Sequence, residues 1–264
     1  MPNETLIRLS AFFGLFVVFA LWEAARPRRA RTMPRSRRWL TNWAISIIDT
    51  LTLRAMALVL PVMATGAALD AAAQGWGLFN RLDWPAWLEI LLAVIVLDLA
   101  IWAQHLVMHK VPVLWRLHRV HHVDRDFDVT TAIRFHPVEI ALSMLIKIGL
   151  VYALGAPVIG VIGFAIILNG MAMFNHANIA LPRRLDALLR LIVVTPDMHR
   201  VHHSVRREEH DSNYGFNLSL WDRLFRTYSP QPAGGHNGMT IGLAGHQDER
   251  PASLGWSLMF PFRP

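Results

Sequence analysis

The segment IGLVYALGAPVIGVIGFAIILNGMAMFNHANIALP, residues 148–182, runs for 35 residues without a charged side chain. A transmembrane helix needs about 20 apolar residues, so this run is too long for one comfortable span and slightly short for two. Gly155-Ala156-Pro157 places a turn signal inside it. Whether it crosses once or returns as a hairpin decides the fold. With one crossing, the histidines near position 199 lie on the opposite face from those near 120. With a hairpin, all of them meet at one site.

Upstream, Leu9–Trp22 is an uncharged run bounded by Arg8 and Glu23. It is short for a span, so its flanking charges would have to snorkel. A secretory signal carries positive charge before its apolar run. Here the charge follows, as seven arginines and no acid in Arg26–Arg38. That order predicts a first transmembrane helix whose C-terminal end is cytoplasmic, with a cleaved signal peptide as the alternative. A second span is expected over about Trp43–Leu69, interrupted by Asp49, Arg54 and Pro61. Charges inside such a span are expected to face the bundle interior. Asp70–Trp84 is nearly neutral, as an outer loop would be. A third span starts near Pro85 and reaches His105.

The chain of 264 residues is 53% hydrophobic and 17% charged, with net charge +7, and its mean hydropathy is +0.32. Soluble domains carry roughly 25% charged residues. This apolar content sets aside nucleic acid as the reason for the basic balance and favours a membrane. The absence of cysteine excludes disulfides, thiolate-bound iron and iron–sulfur clusters. The basic residues are nearly all arginine, a bias that suggests a bacterial chain and so an inner-membrane location.

The thirteen histidines carry the chemistry. His105-x3-His109 precedes His118-x2-His121-His122, and His199-x2-His202-His203 repeats the second spacing. On a helix, positions i, i+3 and i+4 share a face, so each group is expected to aim its imidazoles at one point. Imidazole suits iron, zinc, copper or nickel. These eight, with His176 as a ninth and His136 as the least secure tenth, exceed the ligand needs of one metal. Two metals are therefore expected. His210, His236 and His246 lie in polar or glycine-rich surroundings and read as solvated.

Several short elements accompany these spacings: Trp115-Arg116-Leu117-His118, Arg134-Phe135-His136-Pro137-Val138-Glu139, Phe174-Asn175-His176-Ala177-Asn178, Thr195-Pro196-Asp197-Met198-His199, Asn213-Tyr214-Gly215 and Trp221-Asp222-Arg223-Leu224-Phe225. Together, from Asp98 to Tyr228, the chain resembles the sterol desaturase/fatty acid hydroxylase superfamily of membrane di-iron enzymes. Two departures are visible. Leu106 stands where an arginine often follows the first histidine, and Arg226 where glycine often follows the Trp-Asp element.

The resemblance implies two iron ions, O2 and a separate electron donor of ferredoxin or cytochrome type. It implies hydroxylation or desaturation of a C–H bond in a lipid, with no catalytic residue apart from the metal ligands. Zinc could occupy the site in purified protein. The basic face could steer an acidic carrier, and anionic headgroups explain that charge as well. A membrane zinc hydrolase and a histidine-rich metal-binding or transport protein are the alternative readings.

Behind the ligands, Asp98, Asn175, Asn178, Asp211 and Asn213 are candidates to orient them, while Glu139 and Lys147 read as the interfacial end of the hairpin. Arg183–Val194, with Leu185, Leu188 and Ile192 on one face, reads as a short interfacial helix. The expected architecture is all-α: a single membrane domain over residues 1–264 with about four transmembrane helices. The last pair form full spans or a shallow hairpin, and a cytoplasmic histidine-rich helical cap ends in an irregular segment, residues 230–264.

Overall fold

The computed structural model describes residues 3–263. Nine helices build the part that positions the histidines: α1 (Glu4–Ala25), α2 (Arg35–Val59), α3 (Ala64–Gln74), α4 (Ala86–Lys110), α5 (Pro112–His122), α6 (Pro137–Leu154), α7 (Val158–His176), α8 (Arg183–Leu189) and α9 (Pro196–His202). Among the described residues there is no β-ladder, only three isolated bridges, Pro27–Ile179, Val193–Leu218 and Ser204–Ile241. The fold is all-helical, as expected.

Among the described residues, five helical segments are long and apolar enough to cross a membrane: α1, the α2–α3 stretch to Arg81, α4, α6 and α7. Their outward side chains are apolar and bare, including Leu21, Leu58 and Ile159, at 65%, 89% and 61% exposed. A helix surface of this kind is stable only against hydrocarbon or protein. Asp49 turns inward as expected of an intramembrane charge, whereas Arg54 lies exposed. The expected second span is broken: α2 stops before Pro61, which cannot continue a helix, and α3 starts afresh.

The uncharged run resolves as a hairpin, but its first helix begins at Pro137, eleven residues before Ile148. Glu139 therefore sits on the first turn of α6, at the open end of the hairpin, whereas Lys147 lies inside the helix. Two helices of 18 and 19 residues result, each near the length of a span. Gly155 closes α6 in the left-handed region, φ 65°, and Ala156 N–H returns 3.1 Å to the Val151 carbonyl. A Cβ on Gly77 would sit 2.0 Å from Gly155 N, so the α3–α4 connection can rest on this turn only without side chains. Small residues, Ala64, Ala67, Ala68 and Ala93, pack there against Val151 and Val161.

At the other end of the bundle the helix ends converge. Val111 alone separates α4 from α5, and Pro112 opens α5, so the chain turns sharply instead of extending α4. Glu23, near the end of α1, accepts hydrogen bonds from Val129 N (2.7 Å) and Asn178 N (2.8 Å). Arg38, near the start of α2, is buried and grips Asp124 with two bonds of 2.6 and 2.7 Å and Asp128 with one of 2.6 Å. These ties fasten α1 and α2 to the loop that follows α5.

Candidate metal centre

Nine histidines meet at this end in two groups, one of five and one of four. His105 and His109 from α4, His118 and His122 from α5, and His202 from α9 form the first. One ring nitrogen from each lies within 4.8 Å of those of the others. His121, His176, His199 and His203 form the second under the same limit. The groups abut, with the His122 and His203 rings stacked at 4.5 Å and 15°. All nine are buried except His109, which is half-buried.

The HxxHH boxes do not each aim at one point, as their spacing suggested. Each straddles both groups: His118 and His122 go to the first and His121 to the second, while His199 and His203 go to the second and His202 to the first. The reason is angular. At about 100° per residue, i and i+4 lie about 40° apart and i+3 falls on the other flank. One short helix can thus serve two neighbouring centres. Thr195 and Pro196 start α9 where this works: Thr195 Oγ1 caps Met198 N at 3.3 Å and Pro196 occupies the first turn.

Five rings are anchored through Nδ1. His105 donates to the Tyr214 carbonyl (2.7 Å), His202 to Ser212 (2.6 Å), His121 to Arg134 (3.2 Å) and His176 to Ala172 (2.8 Å). His118 donates to Glu139 Oε1 at 2.7 Å. A carbonyl can only accept, so a neutral ring bound this way holds its proton on Nδ1 and turns a lone pair outward at Nε2. Those lone pairs face each other: His105 Nε2 lies 3.0 Å from His118 Nε2 and 2.9 Å from His202 Nε2, and His121 Nε2 lies 3.1 Å from His176 Nε2. His109 Nε2, His122 Nε2 and both nitrogens of His199 and His203 have no hydrogen-bond partner among the described residues.

Buried acceptors crowded this way repel unless a cation lies among them. Burial, reinforced by neighbouring imidazoles, also pushes His121, His122, His199, His202 and His203 well below the ordinary histidine range, which keeps them in the neutral ligand form. The donor set therefore fits two metal ions.

The remaining candidates divide. Asp211 and Asn213 bracket Ser212, whose carbonyl holds His202. Asn213, at φ 52°, donates to the Met198 carbonyl at 3.0 Å, and Asp211 accepts from the Tyr214 hydroxyl and Lys110. Asn175 donates at 2.8 Å to the carbonyl of Phe216, whose ring lies 5.1 Å from His105. Asn178 instead fastens the arginine-rich segment, accepting from Arg29 N at 3.1 Å and donating to its carbonyl at 2.9 Å.

Asp98 orients no histidine. Its Oδ2 accepts from Trp221 Nε1 (2.8 Å) and Leu218 N (3.2 Å), which fixes the segment carrying Tyr214 and Phe216 against α4. His136 joins neither group. It caps α6, accepting from Val138 N at 3.2 Å through Nδ1, with Nε2 3.2 Å from the Leu258 carbonyl. His236 is buried rather than solvated, 3.6 Å from Asp197. His210 is half-buried and stacks on Trp115 at 5.4 Å.

Reading the residues missed two anchors. Glu139 carried a signal, since it follows His136-Pro137 by two positions, on the first turn of α6. Asp222 receives Tyr214 N (2.9 Å), Gly215 N (2.8 Å) and Trp102 Nε1 (3.0 Å) and so holds the turn whose carbonyl anchors His105.

No solved structure matches this chain. Among curated proteins it is 30% identical over 161 residues to the ornithine lipid hydroxylase OlsE of Rhizobium tropici, covering 60% of this chain and 47% of that protein. It is 29% identical over 162 residues to the alkylglycerol monooxygenase of Homo sapiens, with coverage of 60% and 34%. It is 29% identical over 183 residues to the fatty acid hydroxylase vlmA of Lecanicillium sp, with coverage of 63% and 49%. The chain thus spans half or less of the length of these relatives. The fatty acid hydroxylase family model matches residues 90–227, just over half of the chain and all nine clustered histidines; this chain belongs to that family.

Proposed function

We propose that this protein is a membrane lipid hydroxylase or desaturase that holds two iron ions, one in each histidine group, and uses O2 with electrons from a separate carrier. One observation carries the reading: two abutting, buried, all-imidazole groups with convergent Nε2 lone pairs lie at the end of a bundle whose outer surface is hydrocarbon-like. The relatives named as a lipid hydroxylase and a monooxygenase support the lipid class. The arginines of residues 26–38 lie at the same end and favour its placement on the cytoplasmic face, in a bacterial inner membrane.

Bound iron would supply reductive activation of O2, with the balance RH + O2 + 2e⁻ + 2H⁺ → ROH + H2O, or an alkene and two waters for desaturation. The chain's own residues supply the setting. His121 stacks on Phe135 at 4.4 Å, and Phe216 lies 5.8 Å from His199. With Ile101, Ala172 and Met173 these rings form an apolar cluster between the imidazoles and the bundle interior. Such a wall excludes water from the reacting carbon and suits a chain arriving from the bilayer.

The test is metal analysis of anaerobically purified protein together with lipid mass spectrometry under 18O2. About two irons per chain and a lipid product carrying one 18O fit hydroxylation. Zinc alone after expression in iron-supplemented medium, with O2-independent turnover, would overturn the reading in favour of a hydrolase.

A further inference from the structure

Four of the seven arginines in residues 26–38 are committed to carboxylates: Arg28 to Asp197, Arg35 to Glu23, Arg37 to Glu249, and Arg38 to Asp124 and Asp128. Of the other three, Arg26 is exposed, and Arg29 and Arg31 form no ion pair among the described residues. With Arg125, from the loop after α5, they line a recess that also includes Phe127, Asn178 and Ile241. Arg29 Nη1, Arg31 Nε and Nη2, and Arg125 Nε are buried there without hydrogen-bond partners, although Arg29 Nη2 donates to the Met239 carbonyl at 2.7 Å. Two acids border the recess, and both are occupied. Asp126 accepts from Thr32 N and Met33 N, each at 2.9 Å, and Asp128 is locked by Arg38. Three guanidinium groups against Asp126, the one bordering carboxylate without an arginine ion pair, leave a hollow of net positive charge.

The floor of this hollow leads to the second histidine group. Phe127 is 3% exposed. Its ring stacks on His176 at 5.2 Å and 30° and meets His203 at 4.9 Å and His199 at 6.3 Å. One aromatic ring therefore separates the recess from three of the four histidines. The walls come from the loops at residues 29–31 and 125–128 and from the C-terminal segment at Ile241, not from the apolar face of a spanning helix. That placement suits a partner approaching from water better than a lipid lying in the bilayer.

We propose that this recess is the docking point of an acidic one-electron carrier, an iron–sulfur or haem protein whose surface carboxylates pair with the exposed parts of the half-buried Arg29, Arg31 and Arg125 guanidinium groups, and that Phe127 is the contact between that surface and the four-histidine group. The proposal rests on the oxygenase reading above. Each encounter oxidises the carrier's reduced centre by one electron, and two encounters provide the two electrons of the reaction. Paired guanidinium–carboxylate contacts give both steering and orientation.

The experiment uses the full chain in nanodiscs of phosphatidylcholine, which carry no anionic headgroups, with an acidic [2Fe–2S] ferredoxin as the probe. Binding is measured against salt concentration for the parent, for the triple variant Arg29→Gln/Arg31→Gln/Arg125→Gln, and for the exposed control Arg183→Gln. The triple variant is expected to weaken ferredoxin binding about tenfold and to flatten its salt dependence. The control should match the parent. Iron content and turnover with a small chemical reductant are expected to stay unchanged in all three.

Ferredoxin affinity within twofold of the parent in the triple variant would overturn the proposal, as would no measurable binding by the parent at low salt. A triple variant that keeps ferredoxin binding but no longer co-purifies with the anionic lipid that the parent retains from the membrane would overturn the proposal and reassign the recess to headgroups. A parent without iron, or without product when chemically reduced, would instead refute the oxygenase reading itself.

Discussion

His118 Nδ1 donates to Glu139 Oε1 at 2.7 Å, with both residues buried. This bond joins the first histidine of the second histidine box to the first turn of α6. It places a carboxylate behind an imidazole whose Nε2 faces His105. A carboxylate in this position fixes the ring and raises its basicity toward a cation. Glu139→Ala is expected to lower metal affinity of the five-histidine group about 10- to 100-fold. Glu139→Gln, which keeps an acceptor, should recover most of it. Competition with a chelator of known affinity reads this directly, and equal retention in Ala and Gln variants would contradict it.

The partition of the boxes predicts separable metal loss. His202→Ala removes a donor from the five-histidine group, and His203→Ala one from the four-histidine group, although the two are neighbours in the chain. Each variant is expected to lose about half of the bound metal and essentially all activity. Elemental analysis beside a spectroscopic signature should show that the two variants retain different sites. Loss of all metal in both would mean a single cooperative centre.

His136 offers the contrary case. It caps α6 and touches neither group. His136→Ala should leave the metal count unchanged and reduce stability by about 1 kcal/mol, the usual scale of a lost helix cap. Metal loss comparable to that of His202→Ala would restore it as a ligand.

The Arg38 network predicts an acid limit. Burial alone pushes the Asp128 carboxyl up, but the Arg38 charge, with hydrogen bonds from Thr130, Arg38 and Trp39, brings it down to about 2 from 3.8. A carboxyl depressed in the folded state stabilises the fold above its unfolded value, and that contribution is lost as pH falls from about 4 through about 2. Asp128→Asn should therefore be less stable than the parent near neutral pH and lose less stability over that window. Arg38→Met leaves Asp124 and Asp128 buried near one another without their cation and should cost about 3–5 kcal/mol. Thermal unfolding in detergent as a function of pH measures both.

How much was legible in the residues differs from element to element. Helix type and apolar exterior follow from local pattern, so the hairpin turn at Gly155-Ala156-Pro157 could be read directly. The start of α6 could not. Glu139 and Lys147 look alike as charges at the end of a span; the fold puts Glu139 on the first turn of α6 and Lys147 in its interior, and only the His118 partner explains why Glu139 can be buried there. Asp98 shares the α4 face of His105, yet Trp221, far along the chain, takes its carboxylate.

The sequence by itself determined an all-helical membrane chain and named ten metal-ligand candidates, nine of which come together, because residue type and periodicity are local properties. Only the tertiary structure decided how those nine divide, since each box presents i and i+4 to one side and i+3 to the other, and which side finds which partner depends on packing. It also decided the tautomers: the groups that hold Nδ1 of His105, His121, His176 and His202 are backbone carbonyls. Every residue has a carbonyl, so its role leaves no mark in sequence until the fold brings it to the ring.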